Sequence, residues 1–175
     1  MAHKEQIDFC KSVKEKYPLK FKYCSVLDIG SMDINGNNRY LFEDYTYTGI
    51  DLAEGPNVDV VGYAHEYKTQ YKYDVVISTE ALEHDKHWRK TLIYAYKKLK
   101  RGGLLLITCA TEGRQEHGVK GVNEFCSPHT LDYYKNLTAN DILDVFDNDL
   151  SQYFKEWDIK EVHDTMDDLY FYAIK

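Results

Sequence analysis

Two short apolar runs, Val26-Leu27-Asp28-Ile29-Gly30-Ser31 and Tyr47-Thr48-Gly49-Ile50-Asp51-Leu52, constrain this chain more than any other feature. Each reads as a buried strand that ends in a carboxylate and a turn. Strands of this kind belong to a parallel sheet covered by helices on both faces. In such open sheets the ligand crevice lies beyond the carboxyl ends of the strands. Gly30 lets the backbone approach a ligand there, and Asp51 is placed to accept hydrogen bonds from a ribose diol, so the two runs together point to a nucleotide-type ligand.

The remainder alternates as that sheet requires. Residues 3 to 17 carry Ile7, Cys10, Val13 and Tyr17 at helical spacing before Pro18, which predicts an amphipathic helix. Strands are expected at about 24 to 29, 46 to 51, 57 to 62 and 73 to 78, the last apolar on both faces, with a short helix near 38 to 42. A longer helix follows, its stripe formed by Trp88, Leu92, Ala95, Tyr96 and Leu99. Asp85 suits its start, Lys97, Lys98 and Lys100 suit the negative end of its dipole, and Gly102-Gly103 is expected to stop it. Residues 104 to 109 form a fifth strand. Residues 111 to 130 are polar and aperiodic, a long loop over the crevice. Thr138 or Asn140 is expected to cap a helix bearing Ile142, Leu143, Val145, Phe146 and Leu150. The chain closes with strands around 157 to 162 and 169 to 174, and the short acidic link at 164 to 168 makes them an antiparallel hairpin.

At 175 residues the chain suits one well-filled core, hence one domain over residues 1–175, with a helical segment at 1–20 and the α/β core at 24–175. Lys and Arg number 22 against 29 Asp and Glu, a formal charge of -7. That is the wrong sign for a protein that gains affinity by neutralising phosphates, which argues against nucleic acid as a partner. Cys10, Cys24, Cys109 and Cys126 form no CxxC pair and read as small buried hydrophobes in a reducing compartment. No apolar N-terminal stretch resembles a signal peptide and no run approaches the length of a membrane span, so a cytoplasmic location without membrane contact is expected.

Five segments in order resemble the class I S-adenosylmethionine-dependent methyltransferases of small molecules. Val-Leu-Asp-Ile-Gly at 26 to 30 is similar to the family's first motif, Tyr-Thr-Gly-Ile-Asp at 47 to 51 to its second, and Tyr-Asp-Val-Val-Ile-Ser at 73 to 78 to its fourth. Glu80-Ala81-Leu82-Glu83-His84 resembles the Leu-Glu-His signature, and residues 99 to 104 the usual entry into the fifth strand. With the terminal hairpin, the resemblance runs from about Val26 to the end of the chain. It implies a Rossmann-like α/β domain: a mostly parallel seven-stranded sheet, helices on both faces and an antiparallel C-terminal hairpin. The implied cofactor is S-adenosyl-L-methionine and the implied reaction is methylation of a small-molecule acceptor at oxygen or nitrogen. The alternative is a catalytically inactive S-adenosylmethionine-binding scaffold of the same fold.

Residue by residue, the resemblance places Asp28 near the methionine amino group, Gly30 and Ser31 against the cofactor, Asp51 on the ribose hydroxyls and Leu52 against adenine. Thr79 and Glu80 beyond the fourth strand, and Ala64 and His65 beyond the third, complete the set. Two departures stand out. Gly30 is followed by Ser31, Met32, Asp33, Ile34 and Asn35 before Gly36, and the missing glycines remove the case for the pyrophosphate of NAD or FAD. After Gly62, where relatives have an acidic residue reading adenine, this chain has Tyr63-Ala64-His65, so Tyr63, His65 or backbone groups alone take that place.

Candidate catalytic residues are His84, at the open end of the fourth strand with a reference pKa of about 6.5, and His117 in the late loop. Arg114 is the candidate for pairing with an acidic acceptor. The histidine spacing supports no metal: His84 and His87 lie three apart, and no HExxH or carboxylate triad completes a set. The absence of an Asn/Asp-Pro-Pro-Tyr/Phe motif or a Pro-Cys at the fourth strand's end disfavours nucleobase acceptors.

Overall fold

The computed structural model describes residues 3–175. Seven strands form one sheet: β1 (Ser25–Ile29), β2 (Thr46–Asp51), β3 (Val60–Val61), β4 (Tyr73–Thr79), β5 (Leu99–Ala110), β6 (Glu156–Val162) and β7 (Asp168–Ile174). Their spatial order is β3-β2-β1-β4-β5-β7-β6. The first five run parallel, while β7 lies antiparallel between β5 and β6. The order reverses between β1 and β4, and a crevice opens at that switch point in open α/β sheets.

Alternation along the central strands divides the core between the two faces. Val26, Val75, Ile77, Leu104 and Leu106 pack with Phe9, Cys10 and Val13 of helix α1 (Lys4–Lys16) and with Phe21, Leu41 and Phe42. Leu27, Val76, Leu105 and Ile107 face the other way. They meet Trp88, Leu92 and Ala95 of α2 (Trp88–Lys98), and Ile142 of α3 (Ala139–Val145) with Phe146. Each such burial contributes about 1.5–3 kcal/mol. All four cysteines are buried free thiols. Among the described residues no helix is long and apolar enough to cross a membrane.

Three local departures from the sequence expectation have physical reasons. The third strand shrinks to two residues because Asn57 takes a left-handed φ of 70° and the Asp59 carboxylate accepts the Gly49 N–H at 2.8 Å. Turn chemistry thus consumes its first half. Helix α2 stops before the glycines: Leu99 already begins β5, and its N–H donates back to the carbonyls of Ala95 and Tyr96. Gly102 and Gly103 instead serve an irregularity in β5, where the pairing shifts between Tyr73 and Val75. Gly102 there adopts φ 75° and donates to the Lys175 carbonyl at 2.6 Å. Asp85 does not cap α2 but ties its approach, accepting from the His87 N–H and the Thr91 hydroxyl. At α3 Thr138 forms a reciprocal capping box with Asp141, and Leu150 falls into a separate turn (Leu150–Gln152).

Candidate active site

The glycine-poor loop after β1 is held by side chains. Gly30 and Ser31 both donate to the Ile50 carbonyl, at 2.9 and 3.1 Å. Asn57 donates to the Ser31 carbonyl at 2.8 Å, and Asp33 accepts from the Gly36 N–H and the Asn37 amide, each at 2.7 Å. Asp51 ties the two strand ends together, accepting from the Met32 N–H at 2.9 Å and the Leu52 N–H at 2.7 Å. Gly30 is obligatory: its φ is 77°, and a Cβ there would lie 2.3 Å from that of Ala81. The β1 turn can therefore press against the β4 turn with no side chain between them.

Asp28 is buried one turn deeper. Its carboxylate accepts from the Tyr47 hydroxyl and, at 3.3 and 3.4 Å, from the Asn38 amide. Asn38 also donates to the Thr79 hydroxyl at 3.0 Å, so one amide links the ends of β1 and β4. Burial pushes the Asp28 carboxyl up to about 6, against the lowering effect of these donors. Desolvation likewise raises Asp51, partly offset by its two backbone donors.

At the end of β4, Glu80 adopts a left-handed φ of 52°, a conformation that costs a non-glycine residue about 1–3 kcal/mol and clusters at functional sites. Its surroundings hold it there. The Thr108 hydroxyl donates to one carboxylate oxygen at 2.8 Å, while His3 and Arg114 each sit 3.6 Å from the other. Both cations also reach Asp168, at 3.2 and 3.0 Å. Burial is the largest single influence and works against ionisation of Glu80, but the His3 cation and the Thr108 hydroxyl, with further positive charge nearby, together outweigh it and hold the carboxyl well below the usual range. His3 responds in kind: burial alone would lower its pKa, and Asp168 and Glu80 raise it to about 10.

His84 follows in a short turn (Leu82–His84) with its ring 5.0 Å from that of His117 and 5.4 Å from that of Tyr134. Burial, reinforced by His117, lowers its pKa to about 3. The reference value expected from sequence therefore does not hold, and His84 is a neutral imidazole. Burial lowers His117 also. Glu83 lies fully buried beside them, its carboxyl pushed up to about 8 by desolvation.

A cavity of about 260 Å³ lies over the switch point. Asp28, Gly30, Ser31, Asp51, Leu52, Ala64, Thr79, Glu80 and His84 all line it, joined by Gln6 and Ile7 of α1 and by residues 126–130 of the late loop. Three expected residues fall elsewhere. His65 turns away to pack on His87, 5.0 Å between ring centres. His117 and Arg114 line a neighbouring cleft with residues 165–167. Arg114, expected to meet an acceptor, is committed to Glu80 and Asp168, because two buried carboxylates need a cation more than the cleft does. Asn38, Tyr47, Gln6 and His3 join the site without having been expected there. Asn38 belongs to the run Asn37-Asn38-Arg39, whose amides could have signalled a polar network; the others gave no local signal.

Clusters able to hold a cation occur at Glu83, His84 and His117 and at His3, Glu80 and Asp168, each set with ligand atoms within 4.8 Å of one another. The two carboxylates of the second are already balanced by two cations, Arg114 and the His3 imidazolium.

The same architecture recurs among solved structures. A Burkholderia thailandensis 1,6-didemethyltoxoflavin-N1-methyltransferase, solved with 1,6-didemethyltoxoflavin and S-adenosylhomocysteine, matches 97% of this chain and 77% of its own at 16% identity, TM-score 0.67. A Haemonchus contortus phosphoethanolamine N-methyltransferase 2, in complex with S-adenosyl-L-methionine, matches at TM-score 0.66 and 17% identity, over 97% of this chain and 52% of its own. An Archaeoglobus fulgidus SAM-dependent methyltransferase gives 0.60 and 17% over 96% and 94%. No curated protein matches the sequence. A methyltransferase domain family matches residues 1–162. That span takes in the switch-point cleft and every strand but β7, and the chain belongs to the methyltransferase domain family.

Proposed function

We propose that this protein uses S-adenosyl-L-methionine to methylate a small-molecule acceptor at oxygen or nitrogen. One observation carries the proposal: Asp28, Gly30, Asp51, Leu52, Thr79 and Glu80, from three successive strand ends, line a single cleft at the switch point. The cleft fits a cationic amino-acid end and a ribose better than a pyrophosphate. Buried carboxylates repel phosphate, and each Asp51 oxygen, having accepted one backbone N–H, keeps acceptor capacity for a ribose hydroxyl. Asp28 would face the methionine ammonium. Leu52, Tyr63 and Ala64, which line the same cleft, would take adenine.

When bound, the cofactor supplies a methyl already activated on a sulfonium, so the protein's task is alignment, water exclusion and care of the acceptor's proton. Gln6 and Ile7 of helix α1, Tyr40 and residues 126–130 line the cleft and would limit the access of water. His84, neutral and facing the cleft, would accept a hydrogen bond from an acceptor hydroxyl or amine, orient its lone pair and pass on to solvent the proton that methyl transfer releases. The small cleft and the net charge of -7 support a small acceptor over nucleic acid or membrane, and four buried thiols suit the cytoplasm.

Incubation with methyl-labelled S-adenosylmethionine and pooled small hydroxyl and amine acceptors tests the reading. Label should pass to an acceptor as S-adenosylhomocysteine forms. Tight cofactor binding without transfer to any pool would favour the scaffold alternative.

A further inference from the structure

Glu83, His84 and His117 converge from the end of β4 and from the late loop until their ligand atoms all lie within 4.8 Å of one another. All three are buried, at 0%, 5% and 8% exposure. Among the described residues, Glu83 Oε2, His84 Nδ1 and the neighbouring Tyr134 hydroxyl have no hydrogen-bond partner. Buried polar atoms in native proteins nearly always have one, so three orphans in one place need an explanation.

His117 adds an independent indication. Its Nδ1 lies 3.0 Å from the Gln115 carbonyl, which requires the proton on Nδ1 and leaves Nε2 with a free lone pair. This is how a protein orients a metal-ligating imidazole. Packing forces the two histidines together. Gly118, at φ 64°, sits so close to His84 that a Cβ there would lie 2.7 Å from the ring carbon Cε1.

We propose that Glu83, His84 and His117 form a binding site for a divalent transition-metal cation, Zn²⁺ by donor type, on the acceptor side of the cleft. Two imidazoles and one carboxylate are a three-ligand set that leaves a fourth position open. Magnesium and calcium prefer all-oxygen sites. Bonds of about 2.0–2.1 Å in a tetrahedron put neighbouring ligand atoms about 3.4 Å apart, a contraction that side-chain rotation supplies. Because His84 also lines the cleft, the open position is within reach of water or of an acceptor oxygen or nitrogen, and in the loaded protein it replaces the His84 lone pair, then on the metal, as the contact to the acceptor. Spacing alone concealed the set, since His117 lies thirty-three residues beyond His84 and only the late loop joins them.

The test is calorimetric titration of chelator-treated protein with Zn²⁺ near neutral pH. One Zn²⁺ per chain should bind, with a rise in melting temperature. Glu83→Gln and His117→Ala should each weaken binding at least tenfold, while His163→Ala, an exposed histidine on the terminal hairpin, should not. Zinc-edge X-ray absorption of the loaded wild type needs no variant and should show imidazole scattering. Absence of stoichiometric binding, a zinc shell without imidazole, or unchanged affinity in both folded variants would overturn the proposal.

Discussion

Asp28 illustrates how one buried carboxylate sets a pH window. Burial raises its pKa from 3.8 to about 6, so protonation favours the folded state. That stabilising contribution is complete below about 3.8 and is lost as pH rises through about 6. Binding of a cationic ligand runs the opposite way, because only the ionised form attracts the ammonium. Affinity for S-adenosylmethionine should therefore tighten as pH rises through about 6, and Asp28→Asn should bind more weakly and without that pH dependence; titrations across the window check both. Gly30 is the second sensitive position. Gly30→Ala sets a Cβ against Ala81 at 2.3 Å with φ 77°, an overpacking that costs about 1–3 kcal/mol and should appear as a lower melting temperature with impaired cofactor binding.

Helix α1 is joined to the site through ions as well as apolar packing. His3 at its start pairs with Glu80 and Asp168, which Arg114 also bridges. Arg114→Met would leave two buried carboxylates with one cation between them, a loss of about 3–5 kcal/mol by denaturant unfolding. The pKa of His3, raised to about 10, gives stability that is complete below its ordinary 6.5 and is lost as pH rises toward 10. Melting temperatures should fall over that range in the wild type and fall less in His3→Gln. None of this was legible in sequence, because the four residues come from four separate parts of the chain and meet only once the sheet is assembled. What was legible is local. The stripe of α1, the Thr138 cap and the closing hairpin follow from periodicity and turn chemistry over a few residues. The third strand was overestimated because Asn57 and Asp59 spend their backbone and side chains on a turn.

At the scale of the molecule, the order β3-β2-β1-β4-β5-β7-β6 puts the ends of β1 and β4 side by side, and the cleft follows from that reversal. Strand-end residues were consequently readable from motifs: Asp28, Gly30, Ser31, Asp51, Leu52, Ala64, Thr79, Glu80 and His84 share the cleft. Arg114 and His117 were not, since an aperiodic loop carries no signal of which cleft it lines, and His65 beyond β3 packs on His87 instead. The proposed cofactor, a sulfonium nucleoside, would be held in this cleft through Asp51. Calorimetry with S-adenosylmethionine, S-adenosylhomocysteine and NAD, on the wild type and Asp51→Ala, measures that binding directly. Charged hydrogen bonds of about 1.5–3 kcal/mol each predict binding of both sulfur ligands, weakened at least about tenfold by the substitution, and no binding of NAD. Binding of NAD alone, or sulfur-ligand affinity unchanged in Asp51→Ala, would contradict the account.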